Sequence, residues 1–251
     1  IHIPPIEKSK IISDLKNKET LNSIIKLIPI YLFVAIFFAL FDQTTTTWIS
    51  QAKHYLNKEW LGYNLLPSQL QATNPIMILI LVPLCTYYVY PLINKHFNLT
   101  AIKKISIGLF LAVPSFLIIG YLQTLAEAGW SLTIGWQVLP YFIITAAEVF
   151  ISITCLELSY TQAPNSIKSL IMGFFLLSVS MGNVFTALFT KILPSSFIKE
   201  IPKIIDGQEK IEKHFTASYF YFYAGLMLIA AILFLFVVRY YKETTYLQEE
   251  K

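Results

Sequence analysis

The chain has 251 residues, of which 55% are hydrophobic and 14% charged, and its mean hydropathy is +0.59. Soluble domains carry about a quarter charged residues, so this composition excludes an ordinary soluble globular domain. The net charge is +4, but the lysines separate apolar runs and form no basic stripe with interleaved aromatic residues, so no nucleic-acid partner is expected. Cys85 and Cys155 lie inside apolar runs without metal-ligand spacing, and neither a disulfide nor a metal site is predicted.

Six apolar runs are long enough to cross a hydrocarbon core of about 30 Å as helices. The sequence therefore predicts an all-α membrane protein, a six-helix transmembrane bundle over 27–241 with a cytoplasmic linker over 1–26 and a cytoplasmic tail over 242–251. The predicted spans are 27–50, 70–93, 104–125, 137–158, 168–190 and 216–240. The second contains Pro75, Pro83 and Pro91, which predict a kinked helix packed inside the bundle.

The distribution of basic residues predicts how the spans are oriented. One side of the membrane would carry Lys8, Lys10, Lys16, Lys18, Lys26, Lys95, Lys103, Lys104, Lys168, Arg239, Lys242 and Lys251. The other side would carry Lys53, Lys58 and five lysines in the loop 191–215, where four acidic residues balance them. Because cytoplasmic loops are enriched in Lys and Arg, both termini are predicted to be cytoplasmic, in an inner or plasma membrane. The opening segment also predicts that a further part of the protein precedes Ile1.

Glu148 is the first candidate functional residue, because it lies near the middle of the fourth predicted span. A carboxylate there costs a few kcal/mol unless it faces a cavity or a partner. At 100° per residue, Ser152 and Cys155 share its face, whereas Glu157 lies about 180° around, near the cytoplasmic end. Glu148 is interpreted as a substrate or proton site and Glu157 as a possible second acidic site. The alternatives are a structural carboxylate bonded between helices for Glu148 and an interfacial residue reaching water for Glu157.

Asp42 and Asn74 are the next candidates. Asp42 precedes Gln43 and four threonines, 44–47, in the first span, and this pattern indicates a gate or protonatable site beside a water-filled cavity. The alternative is a helix loosened by hydroxyls that bond back to carbonyls one turn earlier. Asn74 brings an amide into the second span, where it could bind substrate or cap the helix. A phosphate-binding glycine loop, a Ser-His-Asp set and a HExxH motif are absent from the sequence, and the histidines (His2, His54, His96 and His214) lie outside the predicted spans. No enzyme activity and no cofactor are therefore expected.

Several of these segments resemble one family. The run Phe38 to Gln43, followed by Trp48 and Gln51-Ala52, is similar to helix seven of the proton-dependent oligopeptide transporters of the major facilitator superfamily. Residues 148–164 resemble their helix ten, and 167–169 the loop that follows it. Asn74-Pro75 is similar to helix eight, and Leu176-Leu177 with Gly182-Asn183 to helix eleven. The matches occur in chain order and extend over most of the sequence.

The resemblance implies that the spans are helices seven to twelve, the C-terminal half of a major facilitator fold. It implies symport of di- and tripeptides, driven by a proton gradient, by alternating access between two bundles. By this resemblance Glu148 pairs with the peptide amino terminus, Asn74 helps to hold the peptide, and Asp42 takes part in proton coupling and the outer gate. The partners implied are peptides, protons, the lipid bilayer and an N-terminal six-helix half that these residues do not contain.

Two departures concern aromatic positions of the family's substrate site. Phe38 and Phe175 stand where tryptophan is usual, which keeps an aromatic wall but removes an indole N–H donor. Two other interpretations stay open: a membrane scaffold or assembly protein derived from a transporter fold, and a carrier for another solute such as nitrate or an amino acid. Glu148 favours an amine-bearing substrate, because a carboxylate repels nitrate.

Overall fold

The computed structural model describes residues 18–161, 167–194, 196–205 and 208–241. Within this part, six helical stretches are long and apolar enough to cross a membrane, which confirms the predicted six-helix bundle. They are called span 1 to span 6 and run, in chain order, Ile24–Tyr55, Pro67–Asn94, Ala101–Glu127, Ile134–Thr161, Lys168–Ile192 and Ala217–Tyr240. Most of the predicted linker and all of the tail lie outside the described residues, but the first helix begins at Lys18, within the segment predicted as linker.

Three of the six spans change their helical geometry along their length. Span 1 comprises the helix Lys18–Phe41 from Ile24 onward, the 3₁₀ segment Asp42–Thr45 and the helix Thr47–Tyr55. Span 2 consists of the helices Pro67–Gln71 and Thr73–Leu84, the π-helical segment Cys85–Val89 and the helix Tyr90–Asn94. Span 4 consists of the 3₁₀ segment Ile134–Gln137, the helix Val138–Glu148, the π-helical segment Val149–Ile153 and the helix Thr154–Thr161. Spans 3, 5 and 6 are continuous α-helices.

The prolines of span 2 explain its irregular geometry. Pro75 lies in the first turn of the helix Thr73–Leu84, where the missing N–H has no partner to lose. Pro83 and Pro91 bracket the π-helical segment, and at its end the Tyr90 N–H bonds to the carbonyl of Cys85, five residues earlier. A wider turn accommodates residues that cannot donate to the regular ladder. The predicted distortion of the second span is therefore a π-helical turn. The prediction that this span packs inside the bundle is wrong, because only 11% of its apolar stretch is buried and Leu79 is 76% exposed.

The bundle core joins spans 1, 3, 4, 5 and 6. Trp48 is fully buried and lies edge-on to Phe116 and Tyr141, with ring centroids 5.4 Å and 4.9 Å away. Span 5 approaches span 1 most closely at Gly182, where an added Cβ would lie 2.5 Å from the carbonyl oxygen of Ala35. Beside it, the hydroxyl of Thr186 donates to the carbonyl of Ala39 over 2.8 Å. A small residue therefore allows these two backbones to pack together, as is common in membranes.

A buried glutamine network fastens one end of the bundle. Gln51, Gln123 and Gln137 come from spans 1, 3 and 4 and are at most 2% exposed. The Gln51 amide donates to Gln123 Oε1 over 3.0 Å, and the Gln137 amide donates to Gln51 Oε1 over 2.7 Å. Gln123 in turn donates to Glu127, whose Oε1 accepts from the backbone N–H of Ala217 at the start of span 6. Each amide nitrogen thus has a partner on another helix or in the next turn, while Gln137 Oε1 is buried without a partner among the described residues.

Two antiparallel hairpins lie between the spans. Strands β1 (Glu59–Trp60) and β2 (Tyr63–Asn64) connect span 1 to span 2. Strands β3 (Ile198–Ile205) and β4 (Gln208–Phe215) form a longer hairpin between spans 5 and 6, pairing Ile198 with Phe215. The hairpin formed by β3 and β4 is called the charged hairpin below. It lies within the loop 191–215, whose charged residues received no functional interpretation from the sequence.

Candidate functional site

Glu148 and Asn74 meet between spans 4 and 2, 74 residues apart in sequence. The Asn74 side-chain amide donates to Glu148 Oε2 over 3.1 Å. Asn74 is held in the first turn of the helix Thr73–Leu84, while Glu148 ends the helix Val138–Glu148. Both side chains are half-buried. One carboxylate oxygen therefore has an amide partner, and the group keeps acceptor capacity for a further donor.

The pair lies at the wall of a cavity of about 440 Å³. Its lining residues come from spans 1, 2 and 4 and are Phe41, Thr44, Thr45, Ser68, Gln71, Ala72, Asn74, Pro75 and Glu148. This volume falls within the range of about 300–1,000 Å³ that small-molecule pockets occupy. Glu148 is the charged member of this described lining, which otherwise offers hydroxyls, amides and one aromatic face. The cavity thus suits a small polar ligand that carries a positive group.

The helix geometry around Glu148 differs from the regular period used for the sequence prediction. The π-helical segment Val149–Ile153 begins directly after it, so positions beyond it do not follow 100° per residue. Ser152 is half-buried and lies outside the cavity lining, while Cys155 is fully buried in the main core. The predicted polar stripe of Glu148, Ser152 and Cys155 is therefore not continuous. Such π-helical turns are frequent at functional sites.

Asp42 lies beside the cavity without lining it. It begins the 3₁₀ segment of span 1, is half-buried, and interacts with Asn183 of span 5. It is also within electrostatic reach of Glu148. The structural alternative, a helix loosened by hydroxyls that bond back to carbonyls, has a physical basis here, since the Thr45 hydroxyl donates to the Asp42 carbonyl over 2.7 Å. The Thr47 hydroxyl bonds back to the Gln43 carbonyl over 3.2 Å.

Phe38 and Phe175 contact one another rather than the cavity. Their ring centroids are 6.3 Å apart in an edge-on arrangement that joins span 1 to span 5. Phe38 is 7% exposed and Phe175 3%. The aromatic residue that does line the cavity is Phe41, whose ring lies 6.1 Å from that of Phe38. Phe38 therefore contacts the cavity-lining residue Phe41, and neither Phe38 nor Phe175 lines the cavity itself.

Glu157 is separate from this group. It is exposed in the helix Thr154–Thr161 that ends span 4, and within electrostatic reach of Tyr90 of span 2. The sequence also gave no reason to select Phe41, Ser68 or Gln71, which line the cavity. Ser68 and Gln71 lie in the short helix Pro67–Gln71 that begins span 2. Polar residues in a helix that starts with proline look like an ordinary helix beginning, so their role could be found only from the tertiary contact.

The fold and the site define a class: a multi-pass integral membrane protein with a polar, acidic cavity between its spans. The amino-acid sequence matches the family profile described as "PTR2: POT family" over residues 2–204. The chain belongs to the POT family, which confirms the resemblance found in the sequence.

Named relatives and solved structures agree with that assignment. The chain is 27% identical over 246 residues to "Protein NRT1/ PTR FAMILY 8.3" of Arabidopsis thaliana, covering 90% of this chain and 41% of that protein. It is 31% identical over 173 residues to "Peptide transporter PTR_A" of Candidozyma auris, covering 61% and 28%. The "auto inhibited POT family peptide transporter" superposes with a TM-score of 0.76 at 25% identity, covering 92% of this chain and 44% of that chain. The relatives are transporters rather than enzymes, and this chain spans less than half the length of each.

Proposed function

We propose that this chain is the C-terminal half of a proton-coupled symporter of di- and tripeptides, in which Glu148 binds the peptide amino terminus. The observation that carries the proposal is the Glu148 carboxylate at the wall of the 440 Å³ cavity, hydrogen-bonded to Asn74. An ammonium group can donate to this carboxylate in a charge-assisted hydrogen bond. Membership of the POT family and the similarity to a protein named as a peptide transporter support the same substrate class.

Other residues take secondary roles in the proposal. Asn74 orients the carboxylate and contacts the peptide, and Phe41 supplies the aromatic face that Phe38 and Phe175 support from behind. Asp42, beside Asn183 and near Glu148, couples proton movement to the gate between spans 1 and 5. Ser152 and Glu157 stay candidates for contacts with substrate or protons elsewhere along span 4. Both termini face the cytoplasm, as the count of basic residues indicates.

The Glu148 carboxylate also favours a peptide over the other solute considered, nitrate. Nitrate would be repelled by a negative cavity wall, whereas an amine is attracted. A scaffold derived from a transporter would need neither an open cavity nor an acidic group on its wall.

Uptake of dialanine by the complete gene product that contains this chain tests the proposal. The protein is reconstituted in liposomes with an imposed pH gradient, and Glu148→Gln is compared with Glu59→Gln, a control that alters an exposed carboxylate on β1 outside the cavity lining. A hydrogen bond to a charged group contributes about 1.5–3 kcal/mol, so Glu148→Gln should lower kcat/KM roughly 10- to 100-fold. Glu59→Gln should keep most of the uptake. If wild type and Glu148→Gln transport equally, Glu148 is structural and the assignment fails. Wild-type protein without gradient-driven uptake would favour the scaffold alternative.

A further inference from the structure

The charged hairpin is fastened to the end of span 1 through a small group of polar side chains. Glu212 of β4 accepts from Lys53 through Oε1 at 3.0 Å. Its other oxygen, Oε2, lies 3.7 Å from His54 Nδ1 and 3.8 Å from His214 Nε2. The two imidazole rings lie against each other with centroids 4.2 Å apart. One nitrogen of each histidine therefore lies close to the same carboxylate oxygen.

The donors of these three residues fit the first coordination shell of a metal ion. One ligand atom from each of His54, Glu212 and His214 lies within 4.8 Å of the others. Zinc–nitrogen and zinc–oxygen bonds of about 2.0–2.1 Å place tetrahedral ligands about 3.3 Å apart. The observed distances from Glu212 Oε2 to the two imidazole nitrogens, 3.7 Å and 3.8 Å, exceed this ligand–ligand distance by only a few tenths of an ångström. Small side-chain rotations therefore suffice to bring three ligands to a common ion and leave a fourth position for water.

The surroundings of the three donors also favour this arrangement. His214 Nε2 is buried and makes no hydrogen bond to any described residue. Lys53 holds Glu212 through the oxygen that faces away from the histidines, so it would orient the carboxylate without occupying Oε2. The Lys53 side chain is 53% exposed, so water screens its repulsion of a cation. The His54, His214 and Glu212 side chains are 13–16% exposed, which leaves a route for an ion from solvent.

We propose that His54, Glu212 and His214 form a binding site for a zinc-class divalent cation that fastens the charged hairpin to the end of span 1. Imidazole donors favour zinc, nickel, copper or cobalt over magnesium and calcium, which prefer oxygen ligands. The site joins two segments about 160 residues apart in sequence, the end of span 1 and strand β4 of the charged hairpin. None of His54, Glu212 and His214 lines the Glu148 cavity, so this site is separate from the proposed peptide-binding site.

Sequence spacing could not have revealed this site. His54 falls in the last turn of span 1, beyond the predicted span end at residue 50, because the helix continues to Tyr55. Glu212 and His214 alternate on β4, so both side chains point to the same face of the hairpin. That face packs on span 1, where Tyr55 also contacts the His214 ring edge-on at 5.7 Å.

Zinc binding to the purified, metal-stripped gene product tests the proposal. Wild type is compared with His54→Gln, His214→Gln and the matched control His96→Gln, which alters an exposed histidine elsewhere in the chain. We expect one zinc equivalent in wild type and His96→Gln, and at least a tenfold loss of affinity in the other two variants. Zinc should also raise the melting temperature of wild type and His96→Gln alone, while magnesium has no effect. Bound cobalt should give the strong visible absorption of a tetrahedral ion.

Two further measurements keep the outcome interpretable. With a chelator present, all variants should melt close to wild type, which separates loss of a ligand from misfolding. His214→Cys should retain zinc binding, since thiolate is also a zinc ligand. Equal zinc affinity in wild type and both histidine variants would overturn the proposal. So would an absence of zinc binding in wild type, which would make the cluster a docking contact only.

Discussion

Gly182→Ala tests the close packing of spans 1 and 5 behind the cavity. The added Cβ would lie 2.5 Å from the Ala35 carbonyl oxygen and 2.8 Å from the Ala39 nitrogen, both backbone atoms. Reaching an ordinary contact of 3.4 Å requires the helices to separate by about 0.9 Å. Overpacking of this kind costs about 1–3 kcal/mol, and the shift would also stretch the bond from Thr186 to Ala39.

Gly173→Ala is the matched control, because it lies on the same helix and an added Cβ there meets nothing within 4 Å. Both substitutions gain the same helix propensity, about 0.5–1 kcal/mol, so their difference isolates the clash. In the purified gene product, Gly182→Ala should melt about 2–12 °C below Gly173→Ala, at about 2–4 °C per kcal/mol. Equal melting temperatures would show that span 5 does not approach span 1 as described.

Two further predictions concern polar side chains within the bundle. Gln51→Leu removes three hydrogen bonds, to Ile119, Gln123 and Gln137; at about 0.6 kcal/mol each in a membrane, thermal unfolding should show a loss of about 2 kcal/mol. Gln71→Leu, which removes a cavity-lining amide that bonds no other described side chain, should leave the melting temperature within about 2 °C of wild type, and a similar loss in both variants would refute the network's contribution. Asn74→Leu removes the amide that holds Glu148, and should raise the KM for dialanine roughly fivefold, a loss of about 1 kcal/mol. Thr86→Val is the control on the same span, because the Thr86 hydroxyl bonds only to a carbonyl of its own span. An equal rise in KM in this variant would contradict the role of Asn74.

The number of spans could be predicted from the sequence because lipid imposes a length and an apolar composition on each helix. Glu148 and Asn74 could be selected for the same reason, since a polar side chain inside a span needs a partner or a cavity. Their mutual hydrogen bond could not be predicted, because it depends on how spans 2 and 4 pack. The resemblance supplied the roles of Glu148, Asn74 and Asp42, which composition and spacing alone could not assign.

Local helix geometry is what the sequence reasoning missed. The π-helical segment Val149–Ile153 shifts the angular position of the side chains that follow it, so Cys155 faces the buried core instead of the cavity. The amino-acid sequence of that segment does not distinguish it from a regular α-helix. Phe38 and Phe175 were selected by position in the resemblance, yet they pack against each other behind Phe41. The charged hairpin brings His54 to His214 through tertiary packing that no sequence spacing encodes.

The central claim is that the Glu148 carboxylate binds the amino group of a peptide. The most direct measurement is the affinity of the complete gene product for dialanine and for N-acetyl-dialanine, in wild type and in Glu148→Gln. If the claim holds, acetylation weakens binding to wild type roughly tenfold or more, corresponding to about 1.4 kcal/mol or more. It should weaken binding to Glu148→Gln by less than about twofold, because the partner of the ammonium group is already gone. An equal loss on acetylation in both proteins would contradict the claim, since the amino group would then be bound elsewhere.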